Sequence, residues 1–164
     1  MERAAEFGRK VHRIVELACQ GRLQESSLKP AHAYEADLTP ILQAWLRCMA
    51  ERDVKRPEVE VVVASLKHGY AGRLDLIADV SGVRSVIEIK SRPYNPIREP
   101  LQTIAYLEAY NENKPAAERA RRRFFCELRL DGAYDWRVMK GKQDFHYFRC
   151  LLAIHHWEGK NGCV

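Results

Sequence analysis

Apolar residues recur along this chain with two different periods, and the change from one to the other organises it. From Glu2 to about Gln20, the residues Phe7, Val11, Ile14, Val15 and Ala18 fall at three- and four-residue steps. That spacing predicts an amphipathic helix, with Gly21 as its stop. A polar connection containing Pro30 leads to a second helix, with Thr39 as N-cap and Pro40 in the first turn. Ile41, Leu42, Trp45, Leu46 and Met49 form its expected buried face. The charged run ERDVKRP ends it, because Pro57 cannot continue a helix.

From Glu58 the period drops to two. EVEVVVASL, Tyr70–Val80 and Arg84–Lys90 read as three strands, joined by turns at His68-Gly69 and Ser81-Gly82 into a meander. Three prolines within Ser91–Pro100 argue against regular structure there. A helix over Leu101–Tyr110 follows, with Leu101, Ile104, Ala105 and Leu107 as packing positions. Beyond the basic cluster ERARRR, Phe124–Leu130 and Tyr134–Met139 are strands joined at Asp131-Gly132, a strong hairpin signal. A last helix runs from about Gln143 to Trp157, with Phe145, Phe148, Leu151, Leu152 and Ile154 as its core face. The order α-α-β-β-β-α-β-β-α predicts an α/β fold, a mixed sheet with helices packed around it.

Composition narrows the class. A chain of 164 residues can bury one real core and is too short for two ordinary ones, so a single domain over 1–164 is expected. No apolar run approaches the roughly 20 residues that a membrane span requires. The N-terminus, MERAAEFGRKVHR, lacks the apolar core of a signal peptide, so a cytoplasmic location with no membrane partner is expected. The net charge of +5 suits a polyanionic partner without demanding one. The five cysteines form no CxxC pair or zinc-finger spacing, which favours reduced thiols. No Walker lysine loop is present, so no nucleotide-driven motor activity is expected.

Candidate chemistry concentrates in Gly72–Lys90, GRLDLIADVSGVRSVIEIK. Asp75, Glu88 and Lys90 stand among apolar strand residues, and burying such charge is costly unless a metal or an ion pair compensates it. Glu88 and Lys90 point to the same face, about 7 Å apart along the strand. The Ile89 carbonyl lies between them, and Asp75 reaches the same place from the paired strand. Two carboxylates and a carbonyl are hard oxygen donors, the set that Mg²⁺ or Mn²⁺ prefers. Lys90 beside them can hold or deprotonate a water next to a phosphate-like anion. Such a cluster suits phosphodiester hydrolysis. A lone E-x-K is ordinarily a surface pair; the apolar hairpin around this one sets it apart. Glu60, on the neighbouring strand, is either an accessory carboxylate or an exposed strand residue. Arg73 and Arg92 are candidate DNA contacts, and Tyr94 can stack on a base; Arg98, Arg119, Arg121, Arg122 and Arg123 are phosphate contacts or solvated surface.

GRLD followed by IEIKS resembles the PD-(D/E)xK nuclease superfamily, and in particular its RecB-like exonuclease branch. Two further marks of that branch occur in order: G-x-x-x-H at Gly8–His12 and Q-x-x-x-Y at Gln102–Tyr106. The resemblance covers core motifs over residues 8–106, with the hairpin and helix at 121–158 beyond them. It implies a restriction-endonuclease-like mixed β-sheet core flanked by helices. It also implies metal ligation by His12 with Asp75, Glu88 and Ile89, catalysis by Asp75, Glu88 and Lys90, and a DNA-contacting face carrying Gln102 and Tyr106. The implied cofactor is Mg²⁺ or Mn²⁺, the substrate is DNA at ends or in single strands, and recombination or replication proteins are the implied partners. Some relatives carry an iron–sulfur cluster; no Cys precedes His12 here and Cys126, Cys150 and Cys163 are far apart, so none is expected. The alternatives are a non-catalytic DNA- or protein-binding module, an endonuclease, or an RNA-processing enzyme with the same chemistry. Oligomeric state is open.

Overall fold

The computed structural model describes residues 2–24, 26, 28–29 and 36–160; Pro30 and Cys163 lie outside them. A five-stranded sheet runs in the order β1 (Val54–Ser65), β2 (Tyr70–Val80), β3 (Val83–Lys90), β4 (Arg122–Leu128) and β5 (Tyr134–Val138). Every neighbouring pair is antiparallel except β3–β4, which is parallel. A parallel pair needs a crossover, and α3 (Arg98–Asn111) supplies it. The remaining helices are α1 (Glu2–Cys19), α2 (Thr39–Glu51) and α4 (Asp144–Lys160). This is the expected mixed sheet flanked by helices.

The sheet separates two cores of unequal size. Val11, Ile14 and Val15 of α1 and Ile41, Trp45 and Cys48 of α2 pack with Leu76, Ile87, Phe124 and Cys126 from the strands. Side chains of this size stabilise by roughly 1.5–3 kcal/mol each when fully buried. The opposite face is thinner: Val63, Leu74, Ile77 and Val86 meet Ala109 and the flanks of Tyr106 and Tyr110 on α3.

The β1–β2 hairpin rolls over partway along its length. Residues two apart on a strand ordinarily share a face. Here Leu74 packs into the α3-side core and Leu76 into the α1–α2 core. Their cross-strand partners Val61 and Val59 change sides in the same way. Between them lie Asp75 and Glu60, and Glu60 has φ +53°, a left-handed backbone that a non-glycine residue adopts only at a cost of about 1–3 kcal/mol. The turnover therefore sits at two carboxylates.

Several expected boundaries shift. β1 begins at Val54 rather than Glu58, running through Pro57, because an edge strand tolerates proline at a bulge. Thr39 opens α2 from inside the helix; Leu38 is the N-cap, and Asp37 before it accepts at Oδ1 from Thr39 N at 2.8 Å and Oγ1 at 2.6 Å. Leu46 is exposed and Cys48 takes its place in the core. α3 starts at Arg98, with Pro100 harmless in its first turn. The expected core face of α4 is not buried, and Leu151 and Ile154 remain more than half exposed. α4 lies against α3 and packs Phe148 on Tyr70 and Phe145 on His68. Among the described residues no helix is long and apolar enough to cross a membrane.

Candidate active site

β3 carries the centre of the site. It lies inside the sheet between β2 and β4, with α1 on one face and α3 on the other, and Ser85–Ile89 are buried: Glu88 is 0% exposed. Lys90, two residues on and on the same face, bonds to Glu88 Oε1. The β2–β3 ladder ends at Leu76–Ile87. Just beyond it, Asp75 Oδ2 accepts the Ile89 N–H at 2.8 Å, so a side chain replaces the missing backbone partner. Asp75 Oδ1 accepts from His12 Nδ1 at 3.1 Å, which ties α1 to the sheet, and Lys90 Nζ stands 3.7 Å from Oδ2. Four side chains from three elements thus form one linked group.

The charges in this group are unequal. Burial, then the neighbouring Asp75 charge, pushes the Glu88 carboxyl up to about 8 despite Lys90. The displacement from its ordinary 4.5 corresponds to roughly 5 kcal/mol against ionisation, at about 1.4 kcal/mol per unit. Burial also opposes the Asp75 charge, but the His12 hydrogen bond and the Lys90 charge outweigh it and hold Asp75 below its ordinary value. Burial works against protonated His12 and Lys90 as well; Asp75 overcomes it in both, and both are raised. At neutral pH the metal-free site therefore keeps Lys90 charged, Asp75 ionised and Glu88 protonated. Among the described residues Glu88 Oε2 has no hydrogen-bond partner.

Glu60 joins from β1. Donor atoms of His12, Glu60 and Asp75 lie within 4.8 Å of one another. Its Oε2 is engaged by Arg73 Nε at 2.7 Å, so Arg73 touches the site through Glu60. His12, Glu60, Asp75 and Arg73 line an open cavity of about 430 Å³ whose rim carries Arg9 and Arg13 from α1. His12, Glu60 and Asp75 fit a divalent cation, offering one nitrogen and two carboxylates within reach of one another; Glu88, with its own unpaired oxygen, lies behind them on β3 and is not part of that cluster.

α3 closes the other side. Gln102 Nε2 donates to the Tyr106 hydroxyl at 3.0 Å, leaving the phenol proton free to donate outward. Burial raises Tyr106, which keeps that proton in place. Gly72 explains how the ring fits: a Cβ there would lie 2.6 Å from Tyr106 Cε1. Gly8 is different, since a Cβ would meet Ser91 Oγ at an ordinary 3.9 Å.

Two of the expected DNA contacts also bond within the protein. Arg92 bonds to the fully buried Glu99 at 2.7 Å, fastening the loop after β3 to the start of α3. Tyr94 packs its ring edge against Phe125, with Arg137 4.9 Å above it. Arg123 is likewise internal, holding the Pro100 carbonyl and Asp144. Sequence spacing offers no sign of the left-handed turn that brings Glu60 in, because glutamate is not a residue that advertises positive φ.

Comparison with known proteins agrees with this geometry. The family model of the PD-(D/E)XK nuclease superfamily matches residues 1–154. A solved structure from Eubacterium rectale, described as a "putative exonuclease", superposes with a TM-score of 0.60 at 13% identity, covering 94% of this chain and 67% of that one. That likeness supports a shared, restriction-endonuclease-like fold. No curated protein matches the chain in sequence.

Proposed function

The chain belongs to the PD-(D/E)XK nuclease superfamily, and from that premise we propose that it is a divalent-metal-dependent deoxyribonuclease of RecB-like type, trimming DNA at ends or in single strands. The observation that carries this reading is the buried Glu88–Lys90 pair beside Asp75 and His12, with one carboxylate oxygen left open. A module that only bound nucleic acid would gain nothing from a carboxyl forced toward protonation in its core.

Asp75, Glu88, the Ile89 carbonyl and His12 would hold Mg²⁺ or Mn²⁺, with Glu60 as an accessory carboxylate. When bound, such an ion supplies acidification of a water and neutralisation of charge on the phosphoryl oxygens. Lys90 is held as a cation, so its part is to orient the attacking water and stabilise negative charge growing on the phosphate. His12 and Ile89 fix the two oxygens of Asp75, which presets its orientation before substrate arrives. Tyr106, seated on Gly72 and oriented by Gln102, donates toward a phosphate oxygen. Arg9, Arg13 and Arg73 line the mouth and favour an anionic strand.

The test uses labelled single- and double-stranded DNA and matched RNA, with Mg²⁺ or Mn²⁺. Wild type should cleave DNA and Lys90→Ala should not. Equal cleavage by the two proteins, or none by wild type with either metal, would overturn the proposal. Products released as mononucleotides from one end support trimming; internal fragments indicate an endonuclease.

A further inference from the structure

At the opposite end of the β2–β3 ladder, beside the Ser81-Gly82 turn, lies a second cavity of about 530 Å³. It is separated from Lys90 by the length of β3 from Arg84, about 20 Å at some 3.3 Å per residue. Its floor is a set of matched charges. Arg84 bonds to Glu58 and to the Tyr110 hydroxyl at 3.4 Å, and stands 3.6 Å from Asp79 Oδ1; Arg56 bonds to Asp79 Oδ2. Glu58 and Asp79 are thereby neutralised.

The rim is not matched. Arg121 projects an exposed guanidinium that, among the described residues, makes no side-chain hydrogen bond or ion pair. Arg119 uses only Nε, on the Lys114 carbonyl, and Lys114 holds its ammonium 4.6 Å above the Tyr110 ring. Against these three cations the rim offers one carboxylate, Glu118. A concave surface with a cationic excess concentrates anions, and its volume lies in the range of roughly 300–1,000 Å³ typical of ligand sites.

We propose that this cavity is a phosphate-binding site distinct from the catalytic carboxylates, with Lys114 and Arg121 as its principal contacts. Two sources present the same chemistry: the backbone of a strand already engaged at the catalytic end, or a free nucleoside monophosphate. The first source rests on the nuclease reading above; the second does not. A span of 20 Å corresponds to about six phosphates along one strand of a duplex, so only an oligonucleotide of that reach can touch both ends.

Binding is measured in EDTA, where no cleavage occurs, for wild type, Lys114→Glu, Arg121→Glu and Lys90→Ala. The probes are a deoxynucleoside monophosphate and fluorescent oligonucleotides shorter and longer than the span; thermal melts verify folding. Loss of about tenfold or more in affinity for the long oligonucleotide alone, in both rim variants, establishes the backbone source. Loss of mononucleotide binding in both establishes the free-nucleotide source. Unchanged affinity for all three probes in both folded variants overturns the site. Lys90→Ala cleaving like wild type with Mn²⁺ would sink the nuclease reading while leaving the EDTA result for the rim variants intact.

Discussion

Both ends of the β2–β3 ladder bury an aspartate against a basic residue of the neighbouring strand, and they treat it differently. Among the described residues each end even leaves one buried oxygen without a hydrogen bond, Asp79 Oδ1 at the turn and Glu88 Oε2 at the catalytic end. An orphaned oxygen alone therefore does not mark a metal site. What separates the two is charge. At the turn, Arg56 and Arg84 answer Asp79 and Glu58 one for one. At the catalytic end, Asp75 and Glu88 share Lys90 and the His12 imidazole, and burial beside the Asp75 charge still holds Glu88 toward its protonated form. The first arrangement is complete in itself. The second is complete only with another cation.

The largest expected effect comes from Glu88→Gln. Cleavage should fall on the order of 10²–10³-fold or more, the cost of losing one preorganised electrostatic group. The same substitution should flatten the pH dependence of metal-free stability. The folded pKa lies above the ordinary 4.5, so the folded chain holds this proton more tightly than the unfolded chain does. Stability is therefore present below 4.5 and lost as the pH climbs to about 8, by up to roughly 5 kcal/mol. His12, also raised, loses its contribution in the same direction; Asp75, lowered, acts oppositely and only in acid. Urea denaturation in EDTA at a series of pH values reads the slope, and an unchanged slope in the variant would erase the distinction between the two ends.

Arg84→Met probes the matched end. It leaves Asp79, 5% exposed, with only the largely exposed Arg56 as partner, and should cost about 3 kcal/mol by urea titration without altering that neutral-range slope. Gly72→Ala should cost less, about 1–2 kcal/mol, because the new methyl must displace the Tyr106 ring. Cleavage should weaken alongside it if Tyr106 touches the phosphate, and full activity would remove that role. Asp37→Ala, remote from both ends, should lower the melting temperature least. Thr39 holds Asp37 down to about 2, so its contribution exists above the ordinary 3.8 and fades as the pH falls through 2.

Much of this contrast is legible in the chain because it depends on spacing. The flanking turn signals placed β2 at the residues it occupies, and E-x-K on one face follows from the two-residue period of β3. His12 and Tyr106 are long-range partners, and no local period connects them to Asp75; only the ordered motifs bring them together. Glu60 entered the sequence reading merely as a neighbouring-strand carboxylate, since its position depends on a backbone conformation that its side chain does not encode. The internal partners of Arg92 and Tyr94, buried Glu99 and Phe125, lie outside any local spacing and so do not show in the sequence. The apolar stripe of α4 misled in the opposite sense, since periodicity shows amphipathicity and not what covers it.

The central claim is that the catalytic end lacks a cation which the chain itself does not supply. Calorimetric titration of Mn²⁺ into the protein at pH 7, repeated in buffers of different ionisation enthalpy, tests it most directly. Wild type should bind and release at least about one proton per site, because Glu88 must ionise to become a ligand, and Glu88→Gln should abolish both signals. Mn²⁺ binding with no proton released, equal in wild type and Glu88→Gln, or no binding at all, would contradict the account.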